Sequence, residues 1–269
     1  MGRREVKNTG PNITFLDIET APLVVYTWGI WEQNVGINQI IKPWSLMSVA
    51  WMVEGGSMRY QDNRHADDPR DDRELLITLW DVLDAADVVV TQNGIHFDIR
   101  RINARFIELG MSPPSSFRQV DTKVEAKKVA AFVSNKLEWL AKAIAGSEKQ
   151  KHKNFPGFEL WSEALNGNVK AWKEMEKYNR QDVVALRAVY LKLRPWMKNH
   201  PNHGQYREDE DGLQTCPKCG TVDRMQARGY SYTAAGKYQR YVCTACGGWS
   251  RAGKNLLTKP KRATLLKGD

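Results

Sequence analysis

Acidic residues at three places in the sequence could together hold divalent cations. Asp17 and Glu19 stand two residues apart at the end of an apolar run, Asp98 opens an amphipathic segment, and Asp182 lies within a long helical pattern. Side chains at positions i and i+2 of a strand point to the same face. Two neighbouring acids repel each other unless a cation neutralises them. Because Mg²⁺ and Mn²⁺ prefer oxygen ligands, this set is typical of a divalent-cation site.

Each of these acids also has a simpler explanation when it is considered alone. Asp17 and Glu19 fit a solvated strand end, and Asp98 fits the N-cap of a helix. Tyr178 and Asp182, at positions i and i+4, are ordinary neighbours on one face of an amphipathic helix. The functional interpretation therefore depends on their occurring together and in this order.

Four cysteines form a second candidate metal site. Cys216-x2-Cys219 and Cys243-x2-Cys246 are separated by 23 residues, and a glycine follows each pair. The segment between them alternates tyrosines with basic and small residues, as a β-hairpin does. So short a unit cannot bury enough apolar surface to fold alone, and a tetrahedral site of four thiolates would supply the missing stability. The spacing predicts a zinc ribbon with one structural Zn²⁺.

The positive charge of the chain is concentrated at one end. The net charge is +9, residues 1–211 are balanced, and the whole excess falls within residues 212–269. This asymmetry predicts a neutral body with a basic appendage that binds a polyanion; the alternative is a solvated tail. Aromatic residues alternate with cations there, so phosphate contacts and base stacking are expected, unless the aromatics only cover a small core. The candidate substrate-binding residues are Arg228, Lys237, Arg240 and Arg251.

Hydrophobic periodicity predicts an α/β fold for the body. Three strands in succession, followed by helices and strands in alternation, imply a mixed sheet with helices packed on it. The Trp-rich residues 23–45 are expected to form a long loop or strand excursion. Strands are predicted at 13–18, 46–53, 57–61, 88–91 and 120–122, and helices at 71–86, 98–109, 137–144 and 169–193. The predicted domains are a body (1–197), a linker (198–214), the ribbon (215–250) and a basic tail (251–269).

Three motifs in order resemble the DEDD 3′–5′ exonucleases of the RNase H-like superfamily. Phe15–Thr20 looks like the first motif, Asn93–Asp98 like the second, and Tyr178-x3-Asp182 like the third. Asp121-Thr122 resembles a pair often found between the second and third motifs. The resemblance covers about residues 11–195 and implies an RNase H-like mixed sheet flanked by helices. Tyrosine, rather than histidine, before the last aspartate favours the Tyr subgroup.

The resemblance also implies a role for each motif residue. Asp17 would bridge two Mg²⁺ or Mn²⁺ ions, Glu19 and Asp182 would hold the ion that carries the attacking water, and Asp98 would anchor the second ion. Two such ions activate water and stabilise the leaving oxygen of a phosphodiester. Tyr178 would orient the water, because a phenol with a pKa near 10 is a poor base at neutral pH.

The sequence therefore predicts a two-metal-ion 3′–5′ exonuclease acting on single strands or 3′ ends of DNA, which is favoured over RNA. Thr20 and Asn93 are expected to touch the substrate strand, or else to serve as turn and cap residues. The alternatives are an RNase H-like endonuclease or junction resolvase, and a non-catalytic nucleic-acid-binding module. Replication or repair proteins are the expected partners. No run is apolar enough for a membrane span, so a cytoplasmic location is expected; the compact arrangement would suit a bacteriophage protein in the host cytoplasm.

Overall fold

The computed structural model describes residues 10–146, 154–207 and 212–266 of the chain. The chain divides into a larger unit, Asn12–Tyr190, and a smaller unit that contains the residues from Leu191 onward. The domain boundaries placed at 197, 214 and 250 from the sequence stay predictions. Parts of the expected linker (208–211) and of the expected basic tail (267–269) lie outside the described residues.

The larger unit alternates strands and helices after an initial group of strands. Its strands are β1 (Ile13–Ala21), β2 (Val24–Val25), β3 (Ile40–Lys42), β4 (Ser45–Val53), β5 (Met58–Asp62), β6 (Val88–Thr91) and β7 (Arg118–Asp121). Its helices are α1 (Arg73–Ala85), α2 (Asp98–Glu108), α3 (Thr122–Val129), α4 (Leu137–Ala145), α5 (Glu159–Leu165) and α6 (Val169–Leu193). The last turn of α6 passes into the smaller unit.

Five of these strands form one mixed sheet in the order β5-β4-β1-β6-β7. β4 pairs antiparallel with β1 and with β5, whereas β6 lies parallel to β1 and to β7. The mixed sheet flanked by helices that the sequence predicts is confirmed. Three details were wrong: Thr122 begins a helix rather than ending a strand, and neither that helix, α3, nor the short helix α5 was predicted.

Opposite faces of β1 contact different helices, because successive side chains of a strand point in opposite directions. Leu16 and Ile18 pack with the apolar residues of α1 and α2. On the other face, Phe15 meets Tyr190 of α6 edge to face, with ring centroids 5.3 Å apart. Ala21 packs against Trp172 and its neighbours in the same helix. Asp17 and Glu19 alternate along the strand with Leu16 and Ile18, so they lie on the face of β1 that contacts α6.

A buried ion pair fixes α2 against the rest of the unit. Asp72 is fully buried and accepts two hydrogen bonds from the Arg105 guanidinium, at 2.9 and 2.8 Å. The same carboxylate accepts the Leu46 N–H from β4 at 2.9 Å. A bidentate, charge-assisted pair of this kind sets orientation as well as distance. It therefore helps to place the first residue of α2, Asp98.

The Trp-rich segment between β1 and β4 is a strand excursion, as the sequence predicts. Its ends form a two-stranded sheet, β2 with β3. Between these strands, large apolar side chains stand in solvent: Trp28 is 100% exposed and Trp31 is 80% exposed. This segment adds little to the core of the larger unit.

The smaller unit contains a three-stranded antiparallel sheet. Its strands are β8 (Met225–Thr233), β9 (Gly236–Cys243) and β10 (Trp249–Arg251), in the order β10-β9-β8, and a short helix, α7 (Lys259–Ala263), follows. No helix among the residues that the structure describes is long and apolar enough to cross a membrane.

We expect Leu79→Ala to destabilise the larger unit by about 2–5 kcal/mol, because Leu79 of α1 is fully buried against the sheet and its loss leaves a cavity. Thermal or urea unfolding would measure the change. Ile77→Ala is the matched control, because Ile77 lies on the same helix and is 59% exposed. Equal losses of stability in the two variants would contradict the assigned core face of α1.

Candidate active site

The carboxyl half of β1 has an open edge next to β6. β6 pairs with Ile13–Phe15, and from Asp17 onward the main chain of β1 has no strand partner on that side among the residues that the structure describes. At this edge, a backbone N–H of β1 donates to a side chain instead of a strand: the Ile18 N–H donates to Oδ1 of Asp98 at 3.3 Å. Asp98 is only 4% exposed. The start of α2 is thus bound directly to the strand that carries Asp17 and Glu19.

On the opposite face of the sheet, α6 contributes Asn179 and Asp182. Asn179 is fully buried and its Nδ2 donates to Oδ2 of Asp17 at 2.6 Å and to the Asp17 carbonyl at 3.2 Å. Its Oδ1 accepts the hydroxyl of Ser48 on β4 at 3.1 Å. This chain of hydrogen bonds fixes the side chain of Asp17 relative to both β4 and α6. Asp182 lies one turn further along α6 and is 6% exposed.

Asn179 is a site residue that the sequence reasoning missed. The buried positions of α6 recur at helical spacing and include Trp172, Met175, Leu186 and Val189. Asn179 and Asp182 occupy two positions of the same stripe, where apolar residues would be expected. Polar interruptions of an apolar stripe are the signal that could have identified Asn179.

The four predicted acids act on one another through their charges. The pKa of Asp17 is raised well above its usual value, first by burial and then by the negative charges of Asp182, Asp98 and Glu19; the hydrogen bond from Asn179 opposes this. Burial raises the pKa of Asp98 to about 7, although backbone N–H groups lower it. Ionised acids so placed need a nearby positive charge. Asp98 and Asp182 are buried and Asp17 and Glu19 are half-buried. Their carboxylate oxygens are the donor type that Mg²⁺ and Mn²⁺ prefer, so the chemistry of the set suits such an ion.

Aromatic side chains line the site next to Glu19. Trp161 of α5 donates its indole N–H to Oε2 of Glu19 at 3.2 Å. Its ring meets the ring of Tyr178 edge to face, with centroids 6.3 Å apart. Tyr178 lies one turn before Asp182 on α6. Trp161 was not identified from the sequence, because α5 itself was not predicted.

The loop before Asp98 is shaped by the end of β7. Asp121 accepts the backbone N–H groups of Asn93 (2.9 Å) and Ile95 (3.2 Å), and it also caps α3. Asn93 has a positive φ of 70°, and its side-chain oxygen accepts a hydrogen bond from Lys123 at 3.1 Å. At Gly94, an added Cβ would lie 2.3 Å from Oγ1 of Thr91, so this close approach requires glycine. The loop geometry supports the turn explanation for Asn93.

The four cysteines converge in the smaller unit. Among the residues that the structure describes, they are the one group of three or more His, Cys, Asp or Glu residues whose ligand atoms all lie within 4.8 Å of one another. Two Sγ–Sγ distances, Cys216–Cys246 and Cys219–Cys243, are 3.8 Å. A tetrahedral site with Zn–S bonds of about 2.3 Å has sulfur atoms roughly 3.8 Å apart. The four thiols therefore fit one Zn²⁺.

Each cysteine pair lies in a tight turn that closes on its glycine. The Gly220 N–H donates to the Cys216 carbonyl at 3.0 Å, and the Gly247 N–H donates to the Cys243 carbonyl at 2.9 Å. Both glycines have φ near +75° (74° and 75°), a backbone conformation that residues with a Cβ atom rarely adopt. The pKa of the Cys219 thiol is lowered to about 4, chiefly by a hydrogen bond from Cys216 and also by the Thr221 hydroxyl, whereas the pKa values of Cys216 and Cys246 are raised. A thiolate is the form that binds a metal.

The predicted substrate-binding residues fall in both units. Thr20 follows a register shift in β1 at Glu19/Thr20, and Asn93 lies in the loop described above. The four basic candidates lie in the three-stranded sheet of the smaller unit: Arg228 on β8, Lys237 and Arg240 on β9, and Arg251 on β10. Arg251, which the sequence assigned to the tail, is thus part of the sheet.

A family model of the RNase H superfamily matches residues 14–194, which is about two thirds of the chain. The chain belongs to the RNase H superfamily. The match runs from β1 to α6, so all four acids fall within the part of the chain that defines membership. The superfamily fold accounts for the mixed sheet with helices on both faces.

Comparison with individual proteins adds no assignment beyond the RNase H superfamily. No protein of curated function matches the sequence. Among solved structures, the chain is similar to the family B DNA polymerase from the hyperthermophilic archaeon Pyrobaculum calidifontis, with 14% sequence identity and a TM-score of 0.48. The similarity covers 69% of this chain and 26% of the polymerase chain.

We expect Asp17→Asn to raise the melting temperature at pH 8 in buffer without added Mg²⁺ or Mn²⁺. The raised pKa of Asp17 means that the folded state binds a proton which the unfolded state has released, so this part of the stability is present below about pH 4 and is lost as the pH rises through the raised pKa. Removing the Asp17 charge should recover roughly 2–4 °C for each kcal/mol of repulsion relieved, and the gain should vanish near pH 4. Mn²⁺ should raise the melting temperature of the unmodified protein much more than that of the variant.

Asp81→Asn is the control for this experiment, because Asp81 is an exposed acid on α1. Its melting temperature should follow that of the unmodified protein at both pH values. A lower melting temperature for Asp17→Asn than for Asp81→Asn at pH 8 would contradict the assigned repulsion.

We expect the purified protein to contain one zinc ion per chain, measured by plasma mass spectrometry. Cys246→Ser should abolish the bound zinc and unfold the three-stranded sheet, because metal binding contributes most of the folding free energy of so small a unit. Thr244→Ala is the matched control, since Thr244 is exposed between the two cysteines of its turn. Full zinc retention in Cys246→Ser would exclude the four-cysteine site.

Proposed function

We propose that this chain is a metal-dependent nuclease of the DEDD type, Tyr subgroup, which removes nucleotides from the 3′ end of DNA. The observation that carries the proposal is the convergence of carboxylates from β1, α2 and α6. The charges of Glu19, Asp98 and Asp182 all raise the pKa of Asp17. Three elements that are far apart in sequence thus bring acids to one place, where a bound cation would neutralise their repulsion.

Asp17, Glu19, Asp98 and Asp182 are the residues that would hold two Mg²⁺ or Mn²⁺ ions. When bound, such ions supply an activated water and stabilise the developing negative charge on the leaving oxygen. Asn179 would keep the carboxylate of Asp17 in a fixed orientation through its 2.6 Å hydrogen bond. Trp161 would do the same for Glu19, at 3.2 Å.

Tyr178 is the residue proposed to orient the attacking water. It precedes Asp182 by one helical turn, and its ring packs edge to face against Trp161. The packed ring restricts where the phenol oxygen can lie, as positioning of a nucleophile requires. Thr20 and Asn93 stay candidates for contacts with the substrate strand, and the smaller unit is proposed to add affinity through its basic residues.

The chemistry of the site does not by itself select the position of the cut. An RNase H-like endonuclease or junction resolvase would use a similar set of acids, and a non-catalytic module would need only the binding surface. Tyr178 favours the exonuclease, and DNA is the favoured substrate. Replication or repair proteins are the proposed protein partners.

The proposal is tested by incubating the zinc-loaded protein with a 5′-labelled single-stranded DNA oligonucleotide and Mg²⁺ or Mn²⁺. We expect a ladder that shortens from the 3′ end. Asp17→Asn should lower the rate by at least roughly 100-fold, the scale of losing one charge-stabilising group. Tyr178→Phe, which keeps the ring, should lower it by about 10–100-fold through loss of orientation. Asp81→Asn is the control and should keep the full rate.

A circular single-stranded DNA of the same composition separates the alternatives. An exonuclease leaves circles intact, so cleavage of circles would replace the proposed function by the endonuclease. Hydrolysis of RNA but not of DNA would overturn the DNA assignment alone. Absence of hydrolysis on both nucleic acids, with binding retained, would favour the non-catalytic module.

A further inference from the structure

Two arginines stand directly opposite each other in the sheet of the smaller unit. β9 and β10 pair so that Arg240 faces Arg251 and Val242 faces Trp249. The Ala252 N–H donates to the Gln239 carbonyl at 2.9 Å, and the Cys243 N–H donates to the Gly248 carbonyl at 2.9 Å. Arg240 and Arg251 therefore form a non-hydrogen-bonded pair, the closer of the two kinds in an antiparallel ladder. Like charges in directly opposed positions destabilise a sheet.

Each arginine of the pair stacks on an aromatic ring of the other strand. The guanidinium of Arg240 lies 4.7 Å from the ring centroid of Trp249, and that of Arg251 lies 4.0 Å from the ring centroid of Tyr238. Because both contacts are diagonal, the two side chains lean in opposite directions along the sheet. Stacking thus separates the two charges and holds each in a defined place.

The stacked guanidiniums keep hydrogen-bond donors available for an anion. Stacking uses the face of the planar group, whereas its N–H donors lie around the edge. Arg240 uses one of them, Nε, to donate to the Arg228 carbonyl at 3.0 Å. Both arginines are exposed. Asp223 is the only acidic residue in the sequence from 212 to 266, so carboxylates are scarce in the neighbourhood.

We propose that the face formed by Tyr238, Arg240, Trp249 and Arg251 binds two phosphodiester groups of one DNA strand, one at each guanidinium. Arginine matches phosphate oxygens with two parallel N–H donors, and the anions would remove the repulsion between the opposed charges. Lys237 stacks on Tyr230, at 3.9 Å, on the opposite face of the sheet, so it is outside this site. The choice of DNA as the polyanion rests on the proposed function.

The test measures binding of the zinc-loaded full chain to a labelled 30-nucleotide single-stranded DNA by fluorescence anisotropy, with Ca²⁺ present and Asp17→Asn as background. We expect each of Arg240→Ala and Arg251→Ala to reduce the slope of log K against log salt concentration by about 0.7, and the double variant by about 1.4. At 0.1 M KCl the double variant should bind roughly 25-fold more weakly, because each of the two lost phosphate contacts lowers the binding constant about fivefold.

The control variant removes two positive charges elsewhere in the same unit. Lys254→Ala with Lys259→Ala should change the slope by less than about 0.3, since neither lysine lies in the sheet. Equal losses in the two double variants would overturn the proposal and leave only diffuse attraction by a basic surface. Arg240→Lys with Arg251→Lys should keep most of the slope, because the charge is kept, but should lower the affinity.

A second measurement covers the case in which the alanine variants lose zinc. Phenylglyoxal modifies accessible arginines of the unmodified protein, and peptide mass mapping locates the modified residues. DNA should protect Arg240 and Arg251 but leave Arg224 reactive; modification of all three at equal rates would overturn the proposal. The binding and protection measurements do not require hydrolysis. A protein that binds in this way but cleaves nothing would refute the proposed function and leave the phosphate site in place.

Discussion

Repulsion between Asp17 and the neighbouring carboxylates is the constraint on which the arrangement of the larger unit depends. Asp17 lies on the central strand of the sheet, and the charges of three other acids raise its pKa. A fold selected only for stability would not gather such groups, because burial and like charge both disfavour ionisation. The arrangement is nevertheless fixed by other contacts. The Asp72–Arg105 ion pair positions α2, which carries Asp98 beside the open edge of β1. The hydrogen bonds of Asn179 position the carboxylate of Asp17.

The smaller unit also brings like charges together, because Arg240 and Arg251 face each other in its sheet. Its sheet is too small to fold by apolar burial alone, and the four thiols that fit zinc would supply the missing free energy. Stability supplied by a metal would leave the sheet surface free to carry exposed cations, and the sheet does carry a directly opposed pair. In both units, therefore, local charge repulsion is tolerated because another interaction fixes the backbone, and in both units the repulsion marks a place where an ion of opposite charge would bind.

Much of the larger unit could be predicted because its signals are local. Strand alternation put Asp17 and Glu19 on one face, and hydrophobic periodicity placed α1, α2 and α6 within a few residues of their observed ends. The short helix α5 was missed, although Leu160 and Ala164 are spaced as on a helix face, because a helix of only seven residues gives a weak periodic signal. Trp161, which α5 carries, was missed with it.

Other features could not be predicted because they depend on contacts between distant residues. The sequence marks Asp121 only as part of a familiar pair, whereas its contacts with Asn93 and Ile95 require β6 and β7 to be neighbours. In the same way, the opposition of Arg240 and Arg251 follows from the register of β9 with β10, which depends on the turn between Cys243 and Trp249.

We propose that the acids of β1, α2 and α6 form a single site for two divalent cations. Electron paramagnetic resonance of the zinc-loaded protein titrated with Mn²⁺ tests it most directly. We expect two bound Mn²⁺ ions per chain with the spin coupling of neighbouring ions, and loss of that coupling in Asp17→Asn. Uncoupled Mn²⁺, or the same signal in Asp17→Asn, would contradict it.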